Sequence, residues 1–230
     1  LNAAAGGGTF LTLPALLFVG VPPVSANTTG TVALLPGYIA STLGFREDFQ
    51  RHRETRLLPL ILVSALGGAL GAGLLLLTAD AGFRQVVPWL MLFSTLWFAL
   101  WPLVEQRLRR EGLAGPVATA AGLFAVSVYG GYFNGGLGII LLALFYALGH
   151  TDLNFMNGLK NAISAVLTII AVVVYTLGGT VLWGYALSMM VAAIIGGYVG
   201  ARWSRLVPAP LLRVGIVLVG AVMTTLFFIW

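Results

Sequence analysis

The chain has no cysteine, and only 8% of its 230 residues are charged. The first absence removes disulfides, thiol nucleophiles and thiolate metal sites. The second removes the ordinary soluble domain, which carries about 25% charged residues. Acidic residues are few, and all of them (Glu47, Asp48, Glu54, Asp80, Glu105, Glu111 and Asp152) lie between or at the mouths of apolar runs. This argues against a cation as substrate and against a carboxylate relay within a membrane. Lysine occurs once, as Lys160, beside eleven arginines. No basic segment precedes the first apolar run, so a secretory signal is not expected. The front of the first helix is expected to precede Leu1.

What is present is apolar: 59% hydrophobic residues, a mean hydropathy of +0.99 and 30 glycines. The runs are long and uniformly apolar, whereas a membrane barrel needs short alternating segments. An all-α polytopic membrane protein follows, because backbone polar groups in lipid must be satisfied within helices. Glycine suits close helix packing there. The basic balance, with a pI near 10.0, calls for no nucleic acid partner, since arginines in short loops between spans follow the positive-inside pattern.

Punctuation divides the chain into about eight membrane segments. The first apolar run ends at Gly20, and Pro22-Pro23 makes a turn with Ser25 placed to cap the next helix. Spans are expected over Val24–Leu43, Leu57–Thr78, Gln85–Val104, Leu153–Leu177, Leu182–Trp203 and Pro208–Trp230. Gly44–Arg56 reads as a charged loop and Ala79–Arg84 as a short polar one. Gly115 to Gly149 as one helix would be about 50 Å long, too long for a hydrocarbon core of about 30 Å. It must break, and Asn134-Gly135-Gly136-Leu137-Gly138 is where it can.

A shared offset of 129 relates Gly7 to Gly136, Gly20 to Gly149, Gly67 to Gly196, Gly68 to Gly197 and Gly71 to Gly200. One inserted residue then sets Asn27 on Asn157 and Thr31 on Asn161. The chain therefore reads as two repeats, 1–111 and 112–230. If the arm after Gly138 returns to the side it came from, ten of the twelve basic residues share one side. That side is cytoplasmic, and the repeats are inverted. Inverted repeats with paired broken helices point to a secondary transporter whose site lies near the midplane.

The candidate site residues follow. The glycine tips supply Gly7, Gly8, Gly136 and Gly138, expected to need positive φ or close approach to a ligand. Helix N-termini offer free backbone donors and a partial positive charge. Asn27, Thr28, Thr29, Thr31, Asn134, Asn157 and Asn161 add neutral donors, and Lys160 a full charge, a set that suits an anion. The plainer alternatives are interhelical hydrogen bonding for the amides and hydroxyls and a snorkelling side chain for Lys160. Gly67, Gly68, Gly196 and Gly197 read as packing residues. No metal or cofactor motif is present.

The segments Gly6-Gly7-Gly8-Thr9 through Pro14, Ala26-Asn27-Thr28-Thr29-Gly30-Thr31, Gly131-Tyr132-Phe133-Asn134-Gly135-Gly136-Leu137-Gly138 and Asn157-x-x-Lys160-Asn161 resemble the TauE/SafE family of membrane proteins. The resemblance spans nearly the whole chain. It implies transport, as export, of small anions such as sulfite or sulfonates across a bacterial inner (plasma) membrane. One position departs from it: Asn134 stands where the family usually has a small residue. An enzyme would need a nucleophile beside His150 and Asp152, and Ser164 and Ser188 carry no nucleophile motif. A non-transporting assembly or receptor subunit is the other alternative. The expected partners are a small anion and lipid, with a homodimer left open.

Overall fold

The computed structural model describes residues 8–51, 57–108, 115–150, 152–204 and 209–229. They form ten helices and, among the described residues, no strand. These are α1 (Thr9–Phe18), α2 (Pro23–Gly44), α3 (Arg46–Arg51), α4 (Leu57–Leu77), α5 (Asp80–Leu108), α6 (Pro116–Tyr132), α7 (Leu137–Ala147), α8 (Leu153–Leu177), α9 (Trp183–Ser204) and α10 (Ala209–Ile229).

Proline and aspartate set the starts. Pro23 and Pro116 occupy first-turn positions, where a missing N–H costs nothing. Asp152 caps α8, its Oδ1 accepting from Asn154 N at 2.9 Å and Phe155 N at 3.1 Å. Ser25 does not cap α2. It lies inside the helix, and Asp80 from the start of α5 accepts from Val24 N at 2.8 Å instead. The expected loop over Ala79–Arg84 is correspondingly shorter, since α5 begins at Asp80. Part of the Gly44–Arg56 loop is helical, as α3.

Three helices close alike, at Gly20, Gly149 and Gly179, and the first two correspond in sequence. Gly20 and Gly149 both take positive φ, +84° and +88°. Around them Val21 N donates to Leu16 O and Gly20 N to Leu17 O, as His150 N does to Phe145 O and Gly149 N to Tyr146 O. This is the Schellman closure, and each pair is related by the same offset of 129. Helix pairings also recur in matched sets. α1 packs on α2 as α7 packs on α8, and α2 packs on α9 as α8 packs on α4.

α2 and α8 run antiparallel along each other. At one end Thr28 Oγ1 donates to Thr180 O at 3.1 Å, just beyond α8, and Leu182 N donates to Thr29 Oγ1 at 3.0 Å. At the other end Gly158 faces Phe45 and Phe49, and the Phe49 ring stands 6.0 Å from that of Phe155. Leu34, Tyr38 and Ala165 pack together between the two ends.

α4 has two unlike faces. Leu58, Leu62, Leu66, Leu70, Leu74 and Leu77 are exposed, while Ser64, Gly67, Gly68 and Gly71 are buried. A Cβ on Gly71 would overlap Val128 O, and one on Gly67 would lie 2.8 Å from Phe124 O. Glycine is therefore what lets α4 and α6 touch backbone to backbone. An outward leucine stripe of that length suits lipid. Among the described residues, 57–77 and 154–177 are long and apolar enough to cross a membrane by length and composition alone.

Candidate functional site

The expected break is present: α6 ends at Tyr132 and α7 starts at Leu137. Asn134 (φ 55°) and Gly136 (φ 71°) take the left-handed conformation that turns the chain. Asparagine tolerates that region better than most residues, which accounts for Asn134 where the resemblance leads one to expect a small residue. Gly136 is doubly constrained, because a Cβ there would also meet Ser94 Cβ at 2.9 Å.

Side chains from several helices hold this tip. Asn27 Nδ2 donates to Tyr132 O at 3.0 Å, and Tyr38 Oη donates to Asn134 Oδ1 at 3.2 Å, both from α2. The hydroxyls of Ser94 (α5) and Tyr129 (α6) converge on Gly135 O at 3.0 and 2.5 Å. Tyr175 of α8 donates to Gly131 O. No side chain caps α7; Leu137 N donates to Asn134 O and Ile139 N to Gly136 O, so of its first three N–H groups only that of Gly138 lacks a partner among the described residues. Three buried polar atoms around the tip have no partner: Asn27 Oδ1, Thr31 Oγ1 and Asn134 Nδ2.

Lys160 is 1% exposed. Its Nζ donates to Asn157 Oδ1 at 3.1 Å, and no carboxylate pairs with it among the described residues. Asn161 is buried beside it, and Ser164 and Thr168 continue the same helix face, both buried with unpartnered hydroxyls. An apolar cavity of about 170 Å³, lined by Thr42, Phe49, Leu57, Ile61, Leu159, Ala162 and Ile163, adjoins this half of α8. Its lining suits no anion.

The structure separates what the sequence grouped. Asn27, Thr28 and Thr29 lie at the end of α2 that meets Thr180, whereas Lys160 lies two turns into α8 at the opposite end. Seventeen residues of helix between Lys160 and Leu177 correspond to about 25 Å. Thr28 and Thr29 spend their hydroxyls tying α2 to the α8–α9 turn. Gly136 has the expected positive φ, but Gly138 is an ordinary buried residue within α7, and Gly8 precedes α1 with right-handed helical angles (φ −58°, ψ −38°). Gly7 lies outside the described residues, as do Arg53, Arg56, Arg109, Arg110 and Arg205. The packing around Gly196, Gly197 and Gly200 is likewise not described.

Tyr38, Ser94, Tyr129 and Tyr175 are functional candidates that only the structure reveals. Tyr38 has a sequence signal, since it shares a helix face with Asn27 and Thr31. Tyr129 lies on the broken helix itself, six residues before Gly135, and Ser94 and Tyr175 reach the tip only through tertiary packing. His150 stands between aromatic rings, 6.3 Å from Phe145 and 5.6 Å from Phe155. Ser188 donates to its own helix at Tyr185 O.

An all-helical chain with a leucine-coated exterior, glycine-packed helices and a helix broken around buried, unpartnered polar groups is a polytopic membrane protein. A family model described as "Sulfite exporter TauE/SafE" matches residues 1–227. The chain belongs to that family and is a membrane transporter, not an enzyme. It is 29% identical over 227 residues to "Probable membrane transporter protein YfcA" of Escherichia coli (strain K12), covering 97% of this chain and 83% of that one. It is 30% identical over 232 residues to "Probable membrane transporter protein" of Haemophilus influenzae, covering 97% and 88%. No solved structure matches the chain significantly.

Proposed function

We propose that the protein moves small anions of the sulfite and sulfonate class outward across a bacterial inner membrane. The observation that carries this is Lys160: a fully buried ammonium with one neutral acceptor and no carboxylate partner among the described residues. A buried charge without a counter-charge is costly, and a permeating anion supplies the missing partner. The tip adds neutral donors and an uncapped helix N-terminus, as an anion requires. Lys160, Asn157 and Asn161 form one station, near the start of α8, and Asn27, Thr31, Asn134 and Gly136 another, where α2 meets the tip.

We infer further that residues 1–111 and 112–230 are inverted halves. The matched helix pairings, the twin Schellman closures and the antiparallel run of α2 against α8 support it. α2 and α8 are the corresponding helices of the two halves, and inversion sets such a pair antiparallel. The test is sulfite flux from loaded proteoliposomes containing the purified chain. Saturable efflux above empty vesicles is expected, whereas a scaffold or receptor subunit gives none.

A further inference from the structure

The three unpartnered atoms at the tip are not alike. Asn27, Thr31 and Tyr38 are spaced by four and seven residues on α2, which keeps them within about 40° on one helix face. The two outer members of that row touch the tip, Asn27 at Tyr132 O and Tyr38 at Asn134 Oδ1. Thr31 lies between them on that helix face. Asn27, Thr31 and Asn134 are each no more than 1% exposed. Asn27 Oδ1 is an acceptor without a partner, and Asn134 Nδ2 a donor without one, among the described residues. The Thr31 hydroxyl serves either way.

We propose that the tip of the broken helix is a binding site for an oxyanion that itself carries a hydrogen-bond donor, an O–H or N–H, and that it rejects oxyanions bearing none. This rests on the anion-transport reading and narrows its substrate class. The anion's bare oxygens accept from Asn134 Nδ2 and from Gly138 N in the first turn of α7, whose partial positive charge favours them. Its O–H or N–H donates to Asn27 Oδ1. An oxyanion without that hydrogen sets oxygen against oxygen and leaves a buried acceptor unsatisfied, a defect large enough to cost about tenfold in affinity. Hydrogensulfite and aminoalkyl sulfonates belong to the accepted class; sulfate does not. The site is separate from Lys160, whose ammonium donates only and cannot discriminate in this way.

The probes are methylphosphonate and methanesulfonate near neutral pH. They have the same shape and single charge, but only methylphosphonate carries an O–H. Calorimetric titration of the full chain in detergent should give methylphosphonate the tighter binding by about tenfold or more. In Asn27→Leu the ratio should fall toward one. Should that variant fail to fold, the wild-type ratio alone decides. Equal binding of both probes by the wild type overturns the proposal, since the acceptor is then satisfied by water, yet leaves anion transport standing. Binding of neither probe, together with absence of sulfite efflux, overturns both.

Discussion

Tyr38 Oη donates to Asn134 Oδ1 at 3.2 Å, across 96 residues of sequence, and so ties α2 to a buried amide at the tip. With its oxygen turned to Tyr38, Asn134 has an Nδ2 without a partner among the described residues. The broken helix is thus held by α2 at two points, Tyr132 O and Asn134 Oδ1.

Tyr38→Phe should remove that constraint with little change in shape. One buried hydrogen bond is worth about 1 kcal/mol, so a modest drop in melting temperature is expected. Anion affinity should fall by more than stability does, because the amide becomes free to turn its oxygen toward the ligand. Melting curves and calorimetry on the same preparation separate the two effects.

Glycines divide into those that shape the tip and those that pack. Gly136→Ala meets both a left-handed backbone and Ser94, the backbone alone being worth about 1–2 kcal/mol. Transport should be lost in the fraction that folds. Gly71→Ala pushes against Val128 O and should lower yield and melting temperature. Gly37 lies within α2, and a methyl group added there would meet nothing within 4 Å. Gly37→Ala should leave flux unchanged and raise stability by about 0.5–1 kcal/mol.

Topology can be read by single cysteines, since the chain has none of its own. Asp80 and Gly179 belong to the end where Val24 bonds Asp80 and Thr28 bonds Thr180. Arg46 belongs to the end where Phe45 and Phe49 meet Gly158. Cysteines at 80 and 179 should react with an impermeant thiol reagent added outside whole cells, and one at 46 only after the membrane is opened. Labelling of 46 and 80 from the same side would contradict the inverted arrangement.

Much of this fold is legible in the sequence because membrane spans are bounded by strong local signals. Leu153–Leu177 has the expected bounds, and Asn134–Gly136 breaks its apolar run where glycine density permits a turn. Asp80 capping α2 was not legible, since a cap supplied from another helix leaves no local pattern. The site was legible in residue type but not in place. Nothing local shows that α2 and α8 lie antiparallel, so Lys160 and Asn27 look like neighbours in a repeat when they stand at opposite ends. Thr28 and Thr29 have the chemistry of ligand donors and serve as ties instead.

The most direct measurement is sulfite efflux from proteoliposomes carrying wild type or Lys160→Met, with folding checked by gel filtration and melting temperature. Methionine keeps the length of the side chain and removes its charge. The protein should fold at least as well, because a buried ammonium without a counter-charge is costly, and efflux should fall to the level of empty vesicles. Lys160→Arg should not restore it, since a planar fork replaces a compact point charge. Full efflux by a folded Lys160→Met protein would contradict the account, leaving Lys160 a buried structural residue and the anion route elsewhere.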